Sequence, residues 1–491
     1  MEFDIAENQI SYYPHKDIPN FIQRISSKKE FRNSVIKYPK SINNDEVLST
    51  SNKLCNKENV ILLPQQEFLK NFISPDTPYN GILIKHGTGA GKTCAGISII
   101  ENSMNIIQKY NKKAYLILPA RVEDNFKREI FNIDKHIKNP HKNVQCTGDI
   151  YSSMMLPDMD RKAIQSVAKK MIKNKYKILH YGTFSSFVEN DVKKPGNNLY
   201  GEGGYKRAIN KIFSNSVLLI DEVHNIRESN IHGENGDKKI RQILKEVITY
   251  SQNLKLIFMS ATPMYNSAHE IVFLLNLLIL NDIPYELRTN QQILNEKLIS
   301  ESKVFKEVGS EHRLTEEGMH IISEKSRGYV SYLRGENPYT FPTKIIPADA
   351  IIIERHHDPK MRRIEAMKHL KVIECPMHEV QYNLYKRDST EDEFTSFKED
   401  DDPMSSKALQ NANITYPDSK LNIKSVMKII RVVSSGDKKT KNPAKYVYKE
   451  PTVEGFFSLS NIRKYSSKMR RMGDYLLNSK GISFIYSFFI T

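Results

Sequence analysis

Short apolar runs alternate with longer mixed segments between Ile61 and Asp282. This alternation predicts βαβ units around a parallel sheet, because parallel strands need helix-length connections. Two runs, VLLI at 217–220 and LIFM at 256–259, are continuous enough for strands buried on both faces. The candidate strands are Gly81–Lys85, Ala114–Leu118, Val144–Cys146, Lys177–His180, Val217–Ile220 and Lys255–Met259, and the candidate helices are Lys92–Tyr110, Val122–Phe131, Met159–Lys175 and Lys238–Tyr250.

The pattern changes on both sides of this region. Residues 1–60 are polar apart from an aromatic patch at Ile18–Phe31, and we expect a partly ordered N-terminal extension. Residues 286–340 are charged, helical in pattern and without a strong strand, which is typical of an insertion or linker. Residues 341–491 carry strand candidates and a charged, flexible insertion: Lys344–Ile346, Val372–Cys375, Ile482–Phe489 and the insertion at about 387–450. The fold class is therefore predicted as α/β, with a first domain at 61–285 and an incomplete second α/β lobe at 341–491.

Lys and Arg outnumber Asp and Glu by 73 to 57, so the chain of 491 residues has a formal net charge of +16. This surplus favours a polyanionic partner, most commonly nucleic acid, although an AT-rich genome also produces a Lys-rich surface. The four cysteines lack metal-binding spacing and predict free thiols in a reducing compartment: Cys55, Cys94, Cys146 and Cys375. No signal peptide is visible, and the longest apolar runs are about half of the roughly 20 residues that span a bilayer. We expect a soluble intracellular protein without membrane contact.

Residues 86–93, HGTGAGKT, follow a candidate strand and open a candidate helix, which is the context of a phosphate-binding loop. In this segment, the phosphate loop, glycines allow tight turns and let backbone N–H groups point at phosphate oxygens. Lys92 then reaches the terminal phosphates, and the Thr93 hydroxyl ligates Mg²⁺. The residues expected to cradle the nucleotide are Gly87, Thr88, Gly89, Ala90, Gly91, Lys92 and Thr93. His86 departs from the strict pattern, which begins with Gly, and a glycine-rich turn without a ligand is the alternative.

An acidic motif, Asp221 and Glu222, directly follows the VLLI run. A carboxylate at the end of a sheet strand holds Mg²⁺ in P-loop NTPases, which makes Asp221 the candidate metal ligand. Glu222 is placed to orient or deprotonate the attacking water, and His224 to couple the nucleotide site to neighbouring elements. A solvated acidic turn is the alternative interpretation.

The segment Ser260-Ala-Thr-Pro263 follows the LIFM run. Small hydroxyl residues at a strand end are suited to hydrogen-bond a neighbouring acidic motif. Ser260, Ala261 and Thr262 are therefore candidates for a coupling element, although in isolation an ordinary strand-ending turn with Thr-Pro is the preferred explanation.

These three segments, in this order, resemble motifs I, II and III of the superfamily 2 DExH-type helicases and translocases. Pro64-Gln65-Gln66 is similar to the glutamine motif of that family, which implies that Gln66 contacts adenine. Leu118–Arg121 resembles motif Ia and Tyr181–Thr183 resembles motif Ib. The residues that this likeness places against the nucleic-acid backbone are Pro119, Ala120, Arg121, Tyr181, Gly182 and Thr183.

The chain also resembles an SNF2-like group of large cytoplasmic DNA viruses, their nucleoside triphosphatases and early transcription factors. The segments that carry this likeness are the phosphate loop with His86, Ser260–Asn266, Leu275–Leu278, Gly328–Gly335, Cys375–Met377 and Gly481–Ser487. The resemblance implies a RecA-like ATP-binding domain that uses ATP and Mg²⁺. It further implies DNA, or alternatively RNA, and RNA polymerase or a transcription complex as partners, in the host cytoplasm or the virion.

Arginine fingers from a second lobe complete the ATP site in such enzymes, in a Q-x-x-G-R-x-x-R-like segment that this sequence does not contain. One arginine finger contributes on the order of 10³–10⁵ in turnover. We therefore expect the chain, which looks truncated in this lobe, to bind ATP–Mg²⁺ and hydrolyse it slowly, unless a second chain or a missing C-terminal segment supplies the arginines. A non-catalytic module that binds nucleic acid or a polymerase, and a P-loop NTPase of another superfamily, are the two rival hypotheses.

Overall fold

The computed structural model describes residues 12–32, 34, 49, 60–140, 142, 145–156, 158–226, 236–264, 268–308, 311–333, 348–352, 356–357, 363–364, 371–388, 412–416, 430–434, 445–448, 455 and 458–479. The chain divides into two compact units, residues 1–342 and 343–491. None of the helices in the described ranges is long and apolar enough to cross a lipid bilayer.

A sheet of six parallel strands forms the centre of the first unit. The strands are β1 (Gly81–Lys85), β2 (Ala114–Ile117), β3 (Tyr176–Leu179), β4 (Val217–Asp221), β5 (Lys255–Met259) and, from a later part of the chain, β8 (Val330–Tyr332). Their spatial order is β3-β2-β4-β5-β1-β8. Five candidate strands are thus confirmed to within one residue at each end. Four of them, β1, β2, β4 and β5, are almost completely buried, which produces a nearly unbroken apolar run.

Helices cover both faces of this sheet, and successive residues of β1, β2, β4 and β5 are buried in opposite cores. Leu83 and Leu218 belong to one apolar core, while their neighbours Ile82 and Leu219 belong to the core on the opposite face. This alternation follows from the two-residue period of a strand. The expected α/β class, with helices flanking a parallel sheet, is confirmed.

The helices of the first unit run along or between these strands. They are α1 (Phe21–Ser27), α2 (Lys29–Arg32), α3 (Pro64–Phe72), α4 (Lys92–Lys109), α5 (Glu123–Ile130), α6 (Ile133–Lys138), α7 (Arg161–Lys175), α8 (Tyr181–Ser186), α9 (Lys194–Tyr200), α10 (Tyr205–Phe213), α11 (Gly236–Thr249), α12 (His269–Asp282), α13 (Gln291–Lys297), α14 (Glu301–Val304) and α15 (Glu316–Lys325). A π-helical turn at Phe187–Lys193 joins α8 to α9. The four helices expected from sequence correspond to α4, α5, α7 and α11, with ends within two residues.

Two expectations about strands are wrong. In the candidate Val144–Cys146, the described residues Gln145 and Cys146 lie in a turn, which the Gln145 amide fixes by hydrogen bonds of 2.9 and 3.1 Å to the backbone of Asn132. Residues 286–330 contain an antiparallel pair, β6 (Phe305–Val308) and β7 (Glu311–Leu314), and lead into β8. These strands are only three or four residues long, too short for a periodic pattern to reveal.

The expectation of free thiols is wrong for Cys94 and Cys146, which form a disulfide with Cα atoms 5.5 Å apart. Cys94 lies in the first turn of α4, directly after the phosphate loop, and Cys146 lies in the turn fixed by Gln145. The pair is separated by 52 positions in sequence, so only packing of this turn against α4 brings it together. Cys375 is free, and Cys55 lies outside the described residues.

The aromatic patch near the N-terminus is part of the core of the first unit. Phe21 and Phe31 are buried and contact Phe72, each with ring centroids 6.3 Å apart. Lys16 donates to Asp282 over 2.6 Å, and its ammonium lies 3.6 Å from the ring centroid of Tyr329. The described part of this segment is therefore anchored to the lobe and is not a separate polar extension.

The second unit contains antiparallel strand pairs and short helices in its described residues. The pairs are β9 (Ala350–Ile352) with β12 (Lys371–Ile373), β10 (His356–His357) with β11 (Arg363–Ile364), and β13 (Ile430–Ser434) with β14 (Lys445–Tyr448); the helices are α16 (Glu379–Asp388), α17 (Leu459–Ile462) and α18 (Ser467–Asn478). The expected strands Lys344–Ile346 and Ile482–Phe489, and most of the charged insertion at 387–450, lie outside the described residues. A second α/β lobe therefore stays a prediction.

Candidate functional site

Three adjacent strands, β4, β5 and β1, place the predicted motifs at one edge of the sheet. The phosphate loop follows β1, Ser260 follows β5, and Asp221 ends β4 with Glu222 next to it. Because the strands are parallel, their carboxyl ends lie together, and this edge is where open α/β sheets bind ligands.

The phosphate loop owes its shape to two glycines in the left-handed region. Gly89 has φ 78° and Gly91, the residue that caps α4, has φ 77°. The Ala90 N–H donates to the Gly87 carbonyl over 3.3 Å, which closes the turn. Residues Gly87 to Gly89 are exposed. A tight exposed turn that opens a helix of 18 residues has the backbone form of an anion-binding loop.

The Gln66 side chain is hydrogen-bonded to the backbone of the phosphate loop. Its Nε2 donates to the Gly91 carbonyl over 2.9 Å, and its Oε1 accepts from the Leu63 N–H over 2.8 Å. The side chain is buried, with 4% of its surface exposed. The structure thus places Gln66 against the phosphate loop, and the adenine contact that the resemblance implies stays a prediction.

Gly91→Ala is expected to lower the free energy of unfolding by about 1–3 kcal/mol. An added Cβ would lie 2.3 Å from Nε2 of the buried Gln66, and alanine disfavours a φ of 77°. Gly87→Ala is the matched control, because its Cβ meets nothing within 4 Å. Urea unfolding monitored by circular dichroism measures the difference; equal losses in the two variants would contradict this account of the loop.

Lys92 joins the phosphate loop to the acidic motif electrostatically. Its Nζ donates to the carbonyl oxygens of His86 and Gly87 over 3.0 Å each. Burial lowers the pKa of Lys92, and attraction to Glu222 and Asp221 opposes that change. The ammonium and the two carboxylates are therefore close enough to influence one another, as the interpretation of a single site requires.

Asp221 is a buried carboxylate, only 8% exposed, and burial together with repulsion from Glu222 raises its pKa to about 6. Its Oδ1 accepts from the Glu222 N–H over 3.0 Å. Glu222 has φ 53°, a conformation that a residue other than glycine adopts at a cost. The Asn225 amide donates to the Glu222 carbonyl over 2.9 Å and helps to hold this conformation.

Ser260 lies between the two halves of the site. Its N–H donates to the Ile84 carbonyl of β1 over 3.2 Å, and its hydroxyl lies 2.9 Å from Nδ1 of His224. The same imidazole nitrogen lies 3.3 Å from Oε2 of Glu222. The Ser260 hydroxyl also accepts from the Thr262 N–H over 3.0 Å. A continuous series of polar contacts therefore runs from β1 through β5 to the acidic motif.

Thr93 and Asp221 offer a hydroxyl and a carboxylate, the oxygen ligands that Mg²⁺ prefers. No cluster of three or more His, Cys, Asp or Glu side chains that would hold a metal occurs among the described residues. An octahedral Mg²⁺ commonly takes one or two protein ligands and completes its shell with phosphate and water. The buried Asp221 carboxylate, whose pKa is raised by burial and by repulsion from Glu222, fits such an ion because a bound cation compensates its charge.

In metal-free buffer at pH 7, Asp221→Asn is expected to be more stable than the wild type by about 1–3 kcal/mol, since one pKa unit corresponds to about 1.4 kcal/mol. The folded-state pKa of about 6 exceeds the ordinary 3.8, so folding favours the protonated carboxyl. The wild type therefore loses stability as the pH rises through about 4 to 6, whereas the variant does not. Chemical unfolding in the presence of EDTA, in buffers about one pH unit apart from about pH 4 to 8, gives the free energy of unfolding of both proteins as a function of pH. A variant that is less stable than the wild type at pH 7 would contradict this account of Asp221.

The residues expected to contact nucleic acid follow β2 and β3, at the same edge of the sheet. Ala120, Arg121, Gly182 and Thr183 are exposed, and Pro119 is half-buried. The Thr183 hydroxyl accepts from the His180 N–H over 2.7 Å and caps α8. Their placement at this edge is observed, and contact with a strand stays a prediction.

Tyr181 has a structural contact that sequence reasoning missed. Its hydroxyl lies 2.5 Å from the carbonyl oxygen of Asp221 and 2.9 Å from that of Glu222, and it donates to this pair. No local sequence pattern predicts such a contact, because 40 positions separate Tyr181 from Asp221 in sequence. Tyr181, which we expect at the nucleic-acid face, therefore also hydrogen-bonds the backbone of the acidic motif.

A family model described as the SNF2-related domain matches residues 64–434. "Putative ATP-dependent RNA helicase L377" of Acanthamoeba polyphaga mimivirus is 31% identical over 355 residues, which cover 68% of this chain and 28% of that protein. "Putative ATP-dependent RNA helicase R563" of the same virus is 25% identical over 483 residues, 97% of this chain and 67% of that protein. The "Early transcription factor large subunit homolog" of African swine fever virus (strain Badajoz 1971 Vero-adapted) is 22% identical over 450 residues, 76% of this chain and 38% of that protein.

The chain thus spans about a quarter of the first of these relatives, 28% of its length. The solved structure of the DUF1998 helicase MrfA matches 46% of this chain and 30% of its own, with 15% identity and a TM-score of 0.25. That score carries no argument about the site, and the fold is established by the parallel sheet with its flanking helices.

Proposed function

The chain belongs to the SNF2-related domain family, and we propose that it binds ATP–Mg²⁺ and couples ATP hydrolysis to movement on nucleic acid, as a helicase or translocase in viral transcription. One observation carries the proposal: the phosphate loop after β1 and the acidic motif after β4 lie at the same edge of the sheet, and Ser260 of the intervening strand end contacts both β1 and His224. Such a constellation suits a polyphosphate and its metal better than any other common ligand.

Binding begins with the phosphates of ATP. The N–H groups of residues 87–91 and the positive end of α4 attract the phosphate oxygens, and Lys92 exchanges its bonds to the His86 and Gly87 carbonyls for a terminal phosphate. The exchange is favourable because burial weakens the hydration of the ammonium, and a phosphate anion compensates its charge better than a carbonyl does.

Hydrolysis then depends on the acidic motif. Thr93 and Asp221 would hold Mg²⁺, and the bound ion would neutralise charge on the phosphate oxygens. Glu222 orients the attacking water and accepts its proton. The contact of His224 with both Glu222 and Ser260 ties this base to β5, so the geometry of Glu222 depends on the neighbouring strand.

ATP–Mg²⁺ is expected to raise the melting temperature of the protein, whereas adenosine is not, because the proposed binding energy comes mainly from contacts to the phosphates. A ligand at about 100 times its Kd adds about 2.7 kcal/mol to the free energy of unfolding. Differential scanning fluorimetry with ATP–Mg²⁺, ATP with EDTA, and adenosine measures this. If nucleic acid binds while ATP has no effect, the non-catalytic hypothesis replaces the enzyme.

Binding of single-stranded DNA or RNA is expected to weaken by about 3 × 10²-fold between roughly 50 and 200 mM salt, if about six phosphates are contacted. The reason is that Lys and Arg contacts to phosphates release counterions, and the chain carries a net charge of +16. Fluorescence anisotropy with two unrelated sequences of equal length measures both the salt slope and the absence of base readout. An affinity that is independent of salt would contradict contacts to the backbone.

A further inference from the structure

His86 occupies the first position of the phosphate loop, where the usual residue is glycine. Its side chain is buried, with 2% of its surface exposed, and Nε2 lies 2.9 Å from the Ser331 hydroxyl. The two residues are 245 positions apart in sequence. The contact therefore joins the phosphate loop to β8, the strand at one edge of the sheet.

Stability does not explain a histidine at this position. Nδ1 of His86 is buried without a hydrogen-bond partner, and such an unsatisfied polar atom costs about 1–3 kcal/mol. Burial and the nearby Lys92 lower the pKa of His86 to about 4, so the imidazole is neutral at pH 7. A costly buried group at the mouth of a ligand site points to a role in that site.

The contact continues the pairing of β1 with β8. Ile84 is in register with Ser331 and Lys85 with Tyr332, and the Lys85 ammonium lies 4.5 Å from the Tyr332 ring centroid. Four consecutive residues, Leu83 to His86, are thus attached to β8.

The main chain of His86 contacts Lys92 of the phosphate loop. Its carbonyl oxygen accepts from Nζ of Lys92 over 3.0 Å, while its imidazole bonds Ser331. A displacement of β8 along β1 therefore moves the residue on which Lys92 rests. Coupling between two sites is reciprocal. A nucleotide that draws the Lys92 ammonium away from the His86 carbonyl therefore changes the mobility of β8.

We propose that His86 is a positioning residue, whose hydrogen bond to Ser331 couples nucleotide binding in the phosphate loop to β8. This inference rests on the proposed function, because it takes the phosphate loop as the ATP site. The effector of the coupling is the triphosphate of ATP, through Lys92.

Hydrogen–deuterium exchange of peptides spanning β8, with and without ATP–Mg²⁺, tests the coupling. ATP is expected to change the exchange rate of β8 amides by at least about 3-fold in the wild type, the equivalent of one ordinary hydrogen bond. Ser331→Ala is expected to abolish this response while weakening ATP binding only about 3- to 10-fold. His86→Gln, which keeps a donor and acceptor near the position of Nε2, is expected to restore most of the response that His86→Ala loses.

Ser323→Ala is the matched control, because Ser323 is an exposed serine of α15 and is not part of the sheet. A Ser331→Ala or His86→Ala protein that retains the wild-type response of β8 overturns the coupling and leaves the proposed function intact. A wild type that fails to bind ATP overturns the proposed function and the coupling with it. Melting temperatures verify folding, and if one of the two alanine variants does not fold, the other decides.

Discussion

Glu222→Gln is expected to bind ATP–Mg²⁺ with close to wild-type affinity and to hydrolyse it about 10²–10⁴ times more slowly, the usual contribution of a positioned general base. Glutamine has the same shape and tolerates the same backbone, so the bonds of Tyr181 and Asn225 to the carbonyl of residue 222 are retained. What the variant loses is the negative oxygen that accepts the proton of the attacking water.

Single-turnover hydrolysis, with protein in excess over radiolabelled ATP, measures this rate even when turnover is slow. Glu202→Gln removes the same charge from an exposed position and serves as the matched control. Hydrolysis at an unchanged rate by Glu222→Gln, with binding intact, would remove Glu222 from the role of base and leave the phosphate loop assignment standing.

Lys92→Ala is expected to weaken ATP–Mg²⁺ binding by at least about 10²-fold, because a charge-assisted contact to phosphate in a half-buried site is worth about 3 kcal/mol. ATP at about 100 times the wild-type Kd stabilises the wild type by about 2.7 kcal/mol and would stabilise this variant by only about 0.4 kcal/mol. The ligand-induced shift in melting temperature should therefore almost disappear.

Lys109→Ala is the matched control, since Lys109 is an exposed lysine at the far end of the same helix. Isothermal titration of both variants with ATP–Mg²⁺ gives the affinities directly. If ATP stabilises Lys92→Ala as much as the wild type, the phosphate loop does not bind the nucleotide in the proposed way, and the function proposed from it fails.

The site contains several features that cost stability. Asp221 is a buried carboxylate with a raised pKa, and Glu222 has a positive φ. His86 leaves a buried nitrogen without a partner. Natural sequences break local rules of this kind mainly at functional sites, where a ligand compensates the cost. Their concentration at the ends of two strands on the same edge of the sheet, β4 and β1, strengthens the proposal that a charged ligand and its metal bind there.

The resemblance to SNF2-like viral proteins is confirmed by the family match over residues 64–434 and by the viral relatives. It could be recognised from sequence because each motif is local: a few consecutive residues directly after an apolar strand. Four of the main strands, β1, β2, β4 and β5, could be recognised for a similar reason, since burial on both faces leaves a nearly unbroken apolar run. The glycines of the phosphate loop likewise follow from its backbone alone, because positive φ angles favour glycine.

No local sequence pattern predicts the contacts between the motifs. Ser260 and His224 are 36 positions apart, Tyr181 and Asp221 40, Cys94 and Cys146 52, and His86 and Ser331 245. The chemical identity and local form of each motif were thus readable from the residues, whereas the joining of the motifs into one site depended on strand order. The reason is physical: periodicity and backbone preference act over a few neighbours, but β5 between β4 and β1, and β8 beside β1, are chosen by the packing of the whole sheet.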